Sequence, residues 1–321
     1  LFRSNKTAKE LDNLGKEAEE SGKQAKDAGD GFTVFKGILA NLGTQAINGA
    51  INGLKSLGGA LISVGKQAIE SYADYEQLVG GVETLFKDSA GIVEKYANNA
   101  YKTAGMSANE YMETVTGFSA SLLQGLGGDT KKAAEIGNLA VTDMADNANK
   151  MGTSMEMIQN AYQGFAKDNY TMLDNLKLGY GGTQAEMARL INDSGVLGGS
   201  MKVTAQTVKD VPFDKMIEAI HKVQTEMGIT GTTAKEASST ISGSVASMKS
   251  AWQNLLTGMA DANADMDTLV NNLVNSVSTV MTNLLPVVKT AITGIVKVIS
   301  ELAPQIVAMI PEIFQQIMPT L

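Results

Sequence analysis

Cysteine is absent from this 321-residue chain, and histidine and tryptophan occur once each. Without cysteine there can be no disulfide, iron–sulfur cluster or thiolate zinc site, and one histidine cannot build a histidine-rich zinc centre. Aromatic residues make up only 5% of the chain, against 33 Gly and 17 Met. Packing therefore has to come from aliphatic, thioether and close backbone contacts rather than large aromatic anchors. Charge of one sign is not concentrated: the net value of -8 arises from interspersed Lys, Arg, Asp and Glu. With no basic stripe to neutralise phosphates, sequence-specific binding of nucleic acid is not expected. What is plentiful is hydrophobic sequence, 44% of the chain and mostly aliphatic, enough for a real core. Leu1 in place of a starting Met, and an apolar helical pattern still running at Leu321, lead to the expectation of one piece of a longer chain. The densely charged first thirty residues contain no apolar signal core.

Along the chain, composition changes divide five segments. Residues 1–31 are charged, with Ala8, Leu11, Gly15, Ala18, Gly22, Ala25 and Gly29 spaced alternately by three and four. That is a coiled-coil period with small knobs, and a flexible leader fits it equally. Residues 32–71 read as a Gly-rich apolar helix. Its stretch from Gly37 to Leu54 is uncharged, but Asn41, Gln45, Asn48 and Asn52 favour a packed amphipathic helix over a membrane span. Residues 72–227 read as a compact central helical domain. Capping-box spacings occur at Ser107 with Glu110, Thr153 with Glu156 and Thr183 with Glu186, and again just beyond at Thr233 with Glu236. Gly125-Leu-Gly-Gly, Gly179-Tyr-Gly-Gly and Gly198-Gly supply the breaks. Residues 228–265 read as a hinge and a helix carrying Trp252 and Leu255. No alternating strand pattern of useful length is found, so the expected class is all-α: an elongated helical protein with coiled-coil or bundle segments around a compact central region.

In the fifth segment, 266–321, apolar residues keep a seven-residue clock. One stripe is Val274, Met281, Val288, Ile295, Leu302 and Met309, and a second is Leu285, Ile292, Ile299, Ile306 and Ile313. Together they make a seam for partner helices, and their branched composition favours a homo-oligomer of three or four strands, a trimer first. Pro286, Pro304 and Pro311 lie off the seam, yet each removes a backbone donor, so the rod is expected to bend or break there. No charge occurs from Thr268 to Val288, and the Asn, Ser and Thr residues of that stretch occupy the face opposite the seam.

Catalytic constellations are hard to find. His221 follows Pro212 on a helix with Met216, Ile220, Val223 and Met227, with Glu218 one turn away, and reads as a stripe-edge residue. Gly125-Leu-Gly-Gly-Asp-Thr-Lys-Lys lacks the phosphate-loop spacing and a preceding strand, so Asp129 reads as an N-cap. The pairs Glu110 with Glu113 and Asp143 with Asp146 have helical spacing and are expected to face solvent. The expectation is a non-enzyme with no cofactor and no metal.

Two blocks carry a resemblance to a known family. YEQLVGGVETLF at Tyr75–Phe86 is the shorter. DMADNANKMGTSMEMIQNAYQGFAKDNYTMLDNLKLGYGGTQAEMARLI at Asp143–Ile191 is the longer, flanked by ASLLQGLGGDTKKAAEIGNLAVT and, later, SVASMKSAWQNLL. Over roughly Tyr72 to Gly258 the chain resembles tape measure proteins of long-tailed phages infecting Firmicutes. The resemblance implies a structural protein of the virion, made in the host cytoplasm and packed in the tail-tube lumen, whose helical length sets tail length. It also implies ejection ahead of the genome through the host membrane, and contacts with the tail tube protein, distal tail or tail-tip proteins and tail assembly chaperones. Headless tail-like bacteriocins use similar proteins. A hydrolase domain, found in some relatives, has no counterpart in these residues. If wholly helical, the chain would reach about 480 Å, so length is something such a sequence could set. Two other classes compete: a membrane-permeabilising protein using 37–65 and 268–318, and an enzyme whose catalytic domain lies outside this piece.

Overall fold

The computed structural model describes residues 45–198 and 202–317, with side chains for 64–198, 202–304 and Val307. The leader expected at 1–31 lies outside the described residues. The chain is all-α, with no strand among the described residues. It divides into two compact units, Leu1–Val64 and Gly65–Leu321. The described part of the first is helical backbone, the opening of α1 (Gln45–Phe86), which runs unbroken across the expected 71/72 boundary.

In the second unit a short 3-10 turn, Lys87–Ser89, leads to α2 (Ala90–Thr103), α3 (Ala108–Gly125), α4 (Thr130–Met151) and α5 (Met155–Phe165). After a 3-10 turn at Leu173–Leu176 come α6 (Gln184–Ser194), the turn Val208–Asp210, α7 (Phe213–Glu226), α8 (Thr232–Ser239), α9 (Ile241–Met259) and α10 (Met266–Ile317). Helix α4 is the hub, touching α2, α3, α5, α7 and α8. It can do so because the residues it buries are mostly small: Ala133, Ala134, Gly137, Ala140, Val141 and Ala145. A Cβ on Gly137 would come within 2.9 Å of Val115 Cγ2, so α3 approaches where only hydrogen fits. Larger side chains close the remainder of the core. Phe118 of α3 meets Phe213 of α7 edge to face, and Tyr162, Phe165 and Tyr170 form a run of ring contacts.

Helix starts follow local chemistry where the cap and its amide are close in sequence. Ser107 and Glu110 form a full capping box on α3, Asp129 accepts from Lys132 N–H at 3.0 Å to cap α4, and Thr183 caps α6. Two starts differ from expectation. Ser154, not Thr153, caps α5, because the Thr153 hydroxyl is turned away to donate to Asn175 O at 2.8 Å. Helix α8 has no side-chain cap of its own: it begins behind Gly231, at φ 82, and Thr233 supplies an amide rather than an acceptor.

Segment 228–265 is bonded into the body. Helix α9 lies on α2, α3 and α8. Its Ser250 hydroxyl donates to Gly105 O at 3.0 Å, and Asn254 Oδ1 accepts from Ala108 N–H at 2.8 Å, so α9 completes the start of α3. Leu255 is buried and Trp252 exposed.

Pro286, Pro304 and Pro311 do not break the final helix, which is continuous from Met266 to Ile317. Each ring removes a single amide donor, and at Pro286 and Pro304 the helix is exposed, so water can reach the carbonyl left free.

Candidate interaction surface

Helices α9 and α10 form an antiparallel hairpin. Asp265 caps α10, accepting from Thr268 N–H at 3.1 Å and Thr268 Oγ1–H at 2.6 Å, and these bonds hold its carboxyl below the usual range. At the closed end Gly258 lies so near Leu269 that a Cβ would overlap Leu269 Cδ1. At the open end Asn283 Nδ2 donates to Thr240 O at 3.0 Å, which matches the last paired turn of α10 to the first of α9. The inner face of α10 is therefore small, polar and aliphatic: Leu269, Asn272, Leu273, Ser276 and Asn283 are all at least partly covered.

The seam points elsewhere. Val274, Leu285, Ile292, Ile295 and Ile299 are each more than half exposed, and Met281, Val288 and Leu302 are exposed as well. The side chains of Ile306, Met309 and Ile313 lie outside the described residues. Off the seam Val287, Val296 and Val298 are also exposed, so the apolar surface past Leu284 is wider than a two-position stripe. The 33 residues from Leu285 to Ile317 continue beyond the bond that closes the hairpin, roughly 50 Å of helix. Met266–Pro304 has a mean hydropathy of 1.4 and none of its window buried, making it long and apolar enough to cross a membrane.

A second arrangement, inside the body, corrects the reading of the acidic pair on α4. Asp143 and Asp146 do not face solvent: both are fully buried. Asp143 takes His221 Nδ1–H on both carboxylate oxygens, at 2.9 and 3.0 Å. Burial pushes the Asp143 carboxyl up to about 6, against the opposing pull of His221. The bond to Asp143 in turn raises His221 above its ordinary value. Asp146 Oδ2 accepts from Gly231 N–H at 2.6 Å and Oδ1 from Thr233 N–H at 2.8 Å, placing a carboxylate on the N-terminus of α8 from 87 residues upstream. Asn147 Nδ2 donates to Leu176 O at 2.9 Å and to Gln224 Oε1 at 2.8 Å. His221 sits half-buried at the edge of the apolar stripe of α7, as expected, and from there it ties α7 to α4. Nothing in their own spacing marks these carboxylates; they are buried because the stretch of α4 from Ile136 to Ala148 has no exposed position.

An Asp–His pair can also orient a general base, which would require a nucleophile or bound water at Nε2. Among the described residues no such partner is hydrogen-bonded there, and no group of three His, Asp or Glu side chains converges to hold a metal. What the geometry provides is cohesion of the body and, on α10, a long apolar face that no described residue covers. No protein-family model, no curated protein and no solved structure matches the chain.

Proposed function

We propose that this chain is part of a tail tape measure protein, a structural element that occupies the tail-tube lumen and sets tail length. It would leave ahead of the genome to help passage through the host envelope. The observation that carries the reading is α10: a continuous helix of 52 residues whose apolar side is turned away from its own body. Among the described residues nothing covers this face, and covering one Ile side chain is worth about 1.5–3 kcal/mol. Copies of α10 joined along Val274, Met281, Leu285, Val288, Ile292, Ile295, Ile299, Leu302, Ile306, Met309 and Ile313 as a trimer would cover it and form a rod. The likeness of the central blocks to tape measure proteins supplies the biological setting: tube protein, tip proteins and assembly chaperones as partners, in a virion or a tail-like bacteriocin.

The test is a graded series of in-frame heptad deletions between Leu285 and Ala303, with tails imaged by electron microscopy. Each heptad removed should shorten the tail by about 10.5 Å. Tails of unchanged length across viable deletions would end the ruler reading for this region.

A second reading is favoured by the hydropathy of Met266–Pro304: a helix that permeabilises lipid directly. It predicts leakage of anionic liposomes by the assembled protein, whereas a rod whose seam is closed by its own copies leaks them only after mild denaturant separates the helices.

A further inference from the structure

Helix α8 is weak by its own chemistry. It has eight residues, Thr232–Ser239, and four of them are Ser or Thr, whose side chains compete for nearby backbone groups and disfavour a helix interior. None of the eight is buried. A helix this short does not persist alone in water, because its nucleus fixes several residues for the first hydrogen bond gained. Its flanks are breaks: Gly228 and Gly231 take φ of 67 and 82 before it, and Thr240 is extended after it. One side of α8 borders space rather than packed core, since Thr233, Glu236 and Ala237 line a cavity of about 590 Å³.

What holds α8 is bonding at its two ends, from two different helices. At its head Asp146 of α4 accepts from Gly231 N–H at 2.6 Å and from Thr233 N–H at 2.8 Å. At its foot Asn283 Nδ2 of α10 donates to Ser238 O at 3.4 Å and to Thr240 O at 3.0 Å. These carbonyls close the last turn, where an isolated helix leaves its acceptors to water. The foot also rests on α9, for a Cβ on Gly243 would overlap the Glu236 carbonyl.

We propose that α8 is a strap between α4 and α10 that gives way as a unit: parting α10 from the foot unwinds the whole helix and so frees the head from Asp146. The reason is cooperativity. With no side chain buried, the bonds at both ends stabilise the same short helix, and a helix lost at one end does not survive at the other. A displacement of α10 at Asn283 is therefore felt at Asp146, across about 12 Å of helix. An element with two states, each end biasing the same equilibrium, is what couples separated sites physically. Its ties lie upstream of Leu285, so the strap depends neither on the seam of α10 nor on a tape measure role.

Hydrogen exchange of the full chain, read residue by residue, is the test. Asn283→Ala removes the foot bonds at a half-buried position and leaves Asp146 in place. Amides from Lys235 to Ser239 should then exchange about fivefold faster, the loss of one ordinary hydrogen bond. The factor should be the same at Lys235, the end away from Asn283, as at Ser239. Asp146→Asn, which keeps the volume of the buried side chain, should speed the same amides, Ser239 included. Amides of Ile158 to Phe165 in α5 report on the core and should be unchanged by Asn283→Ala. Acceleration confined to the turn beside each substitution would mean that the ends act independently, and would overturn the proposal. So would unchanged exchange in α8, or an equal acceleration in α5 with Asn283→Ala.

Discussion

Replacing Asp143 by Asn should change how stability depends on pH, and the sign follows from the pair it forms with His221. The Asp143 carboxyl rises from its ordinary 3.8 to about 6, chiefly through burial. His221 is raised as well, chiefly by its bond to Asp143. A folded state that holds a proton more tightly than the unfolded one is favoured at low pH. The Asp143 contribution is complete below 3.8 and disappears as pH climbs through about 6. That of His221 has the same sign and disappears at higher pH, through its own raised value. Integrating the difference in bound protons for Asp143 alone between pH 5 and pH 8 gives about 1.4 kcal/mol lost. The amide that Asp143→Asn introduces has no proton to lose and can still accept the Nδ1–H of His221, so the variant folds without that dependence. The assay is urea unfolding of both proteins at pH 5 and pH 8, taking the difference between them to remove the titrating groups they share. The wild type should lose at least about 1.4 kcal/mol relative to D143N over this interval, roughly 0.5 M in urea midpoint at a slope near 3 kcal/mol/M, with the part of the His221 contribution that is lost by pH 8 adding to it. Parallel pH profiles would refute the assignment of the burial penalty to Asp143, and a relative gain by the wild type at pH 8 would reverse its sign.

Asp146→Ala leaves the amides of Gly231 and Thr233 without their carboxylate, and should cost about 3 kcal/mol in urea unfolding, with early hydrogen exchange confined to α8. Gly258→Ala drives a methyl into Leu269 and should cost about 1–3 kcal/mol, with much of the loss recovered when Leu269→Ala is added. If the proposed trimer forms, Ile292→Asp with Ile299→Asp should dissociate it in sedimentation, because charge would be buried in the seam, while the helicity of the body is unchanged. A monomeric wild type would remove the basis for the seam.

Helix content and the starts of α3, α4 and α6 were readable because their causes are local. Ser107, Asp129 and Thr183 each bond an amide three residues on, so spacing alone locates them. Thr233 with Glu236 has the same spacing, but its amide is taken by Asp146 on another helix, and no local pattern records that. Asp143 and Asp146 look like any exposed pair at three-residue spacing. Their meaning comes from His221, 78 residues away, and Gly231, 85 away. The seven-residue apolar period of α10 was legible, since repetition needs no partner to be seen. Which face α9 would cover was not, because α9 packs on the small, polar side, where close approach is possible, rather than on the greasier one.

The fit of α9 to the first nineteen residues of α10 has a consequence for inheritance. The constraints that the hairpin imposes on the last helix end by Leu284, one residue past the Asn283 bond. A duplication or loss of whole turns after that point is therefore invisible to the folded core, and selection on the two parts can proceed independently. Variation among descendants of such a gene should accumulate as changes of extent downstream of residue 284, while the hairpin upstream drifts by single substitutions at constant length.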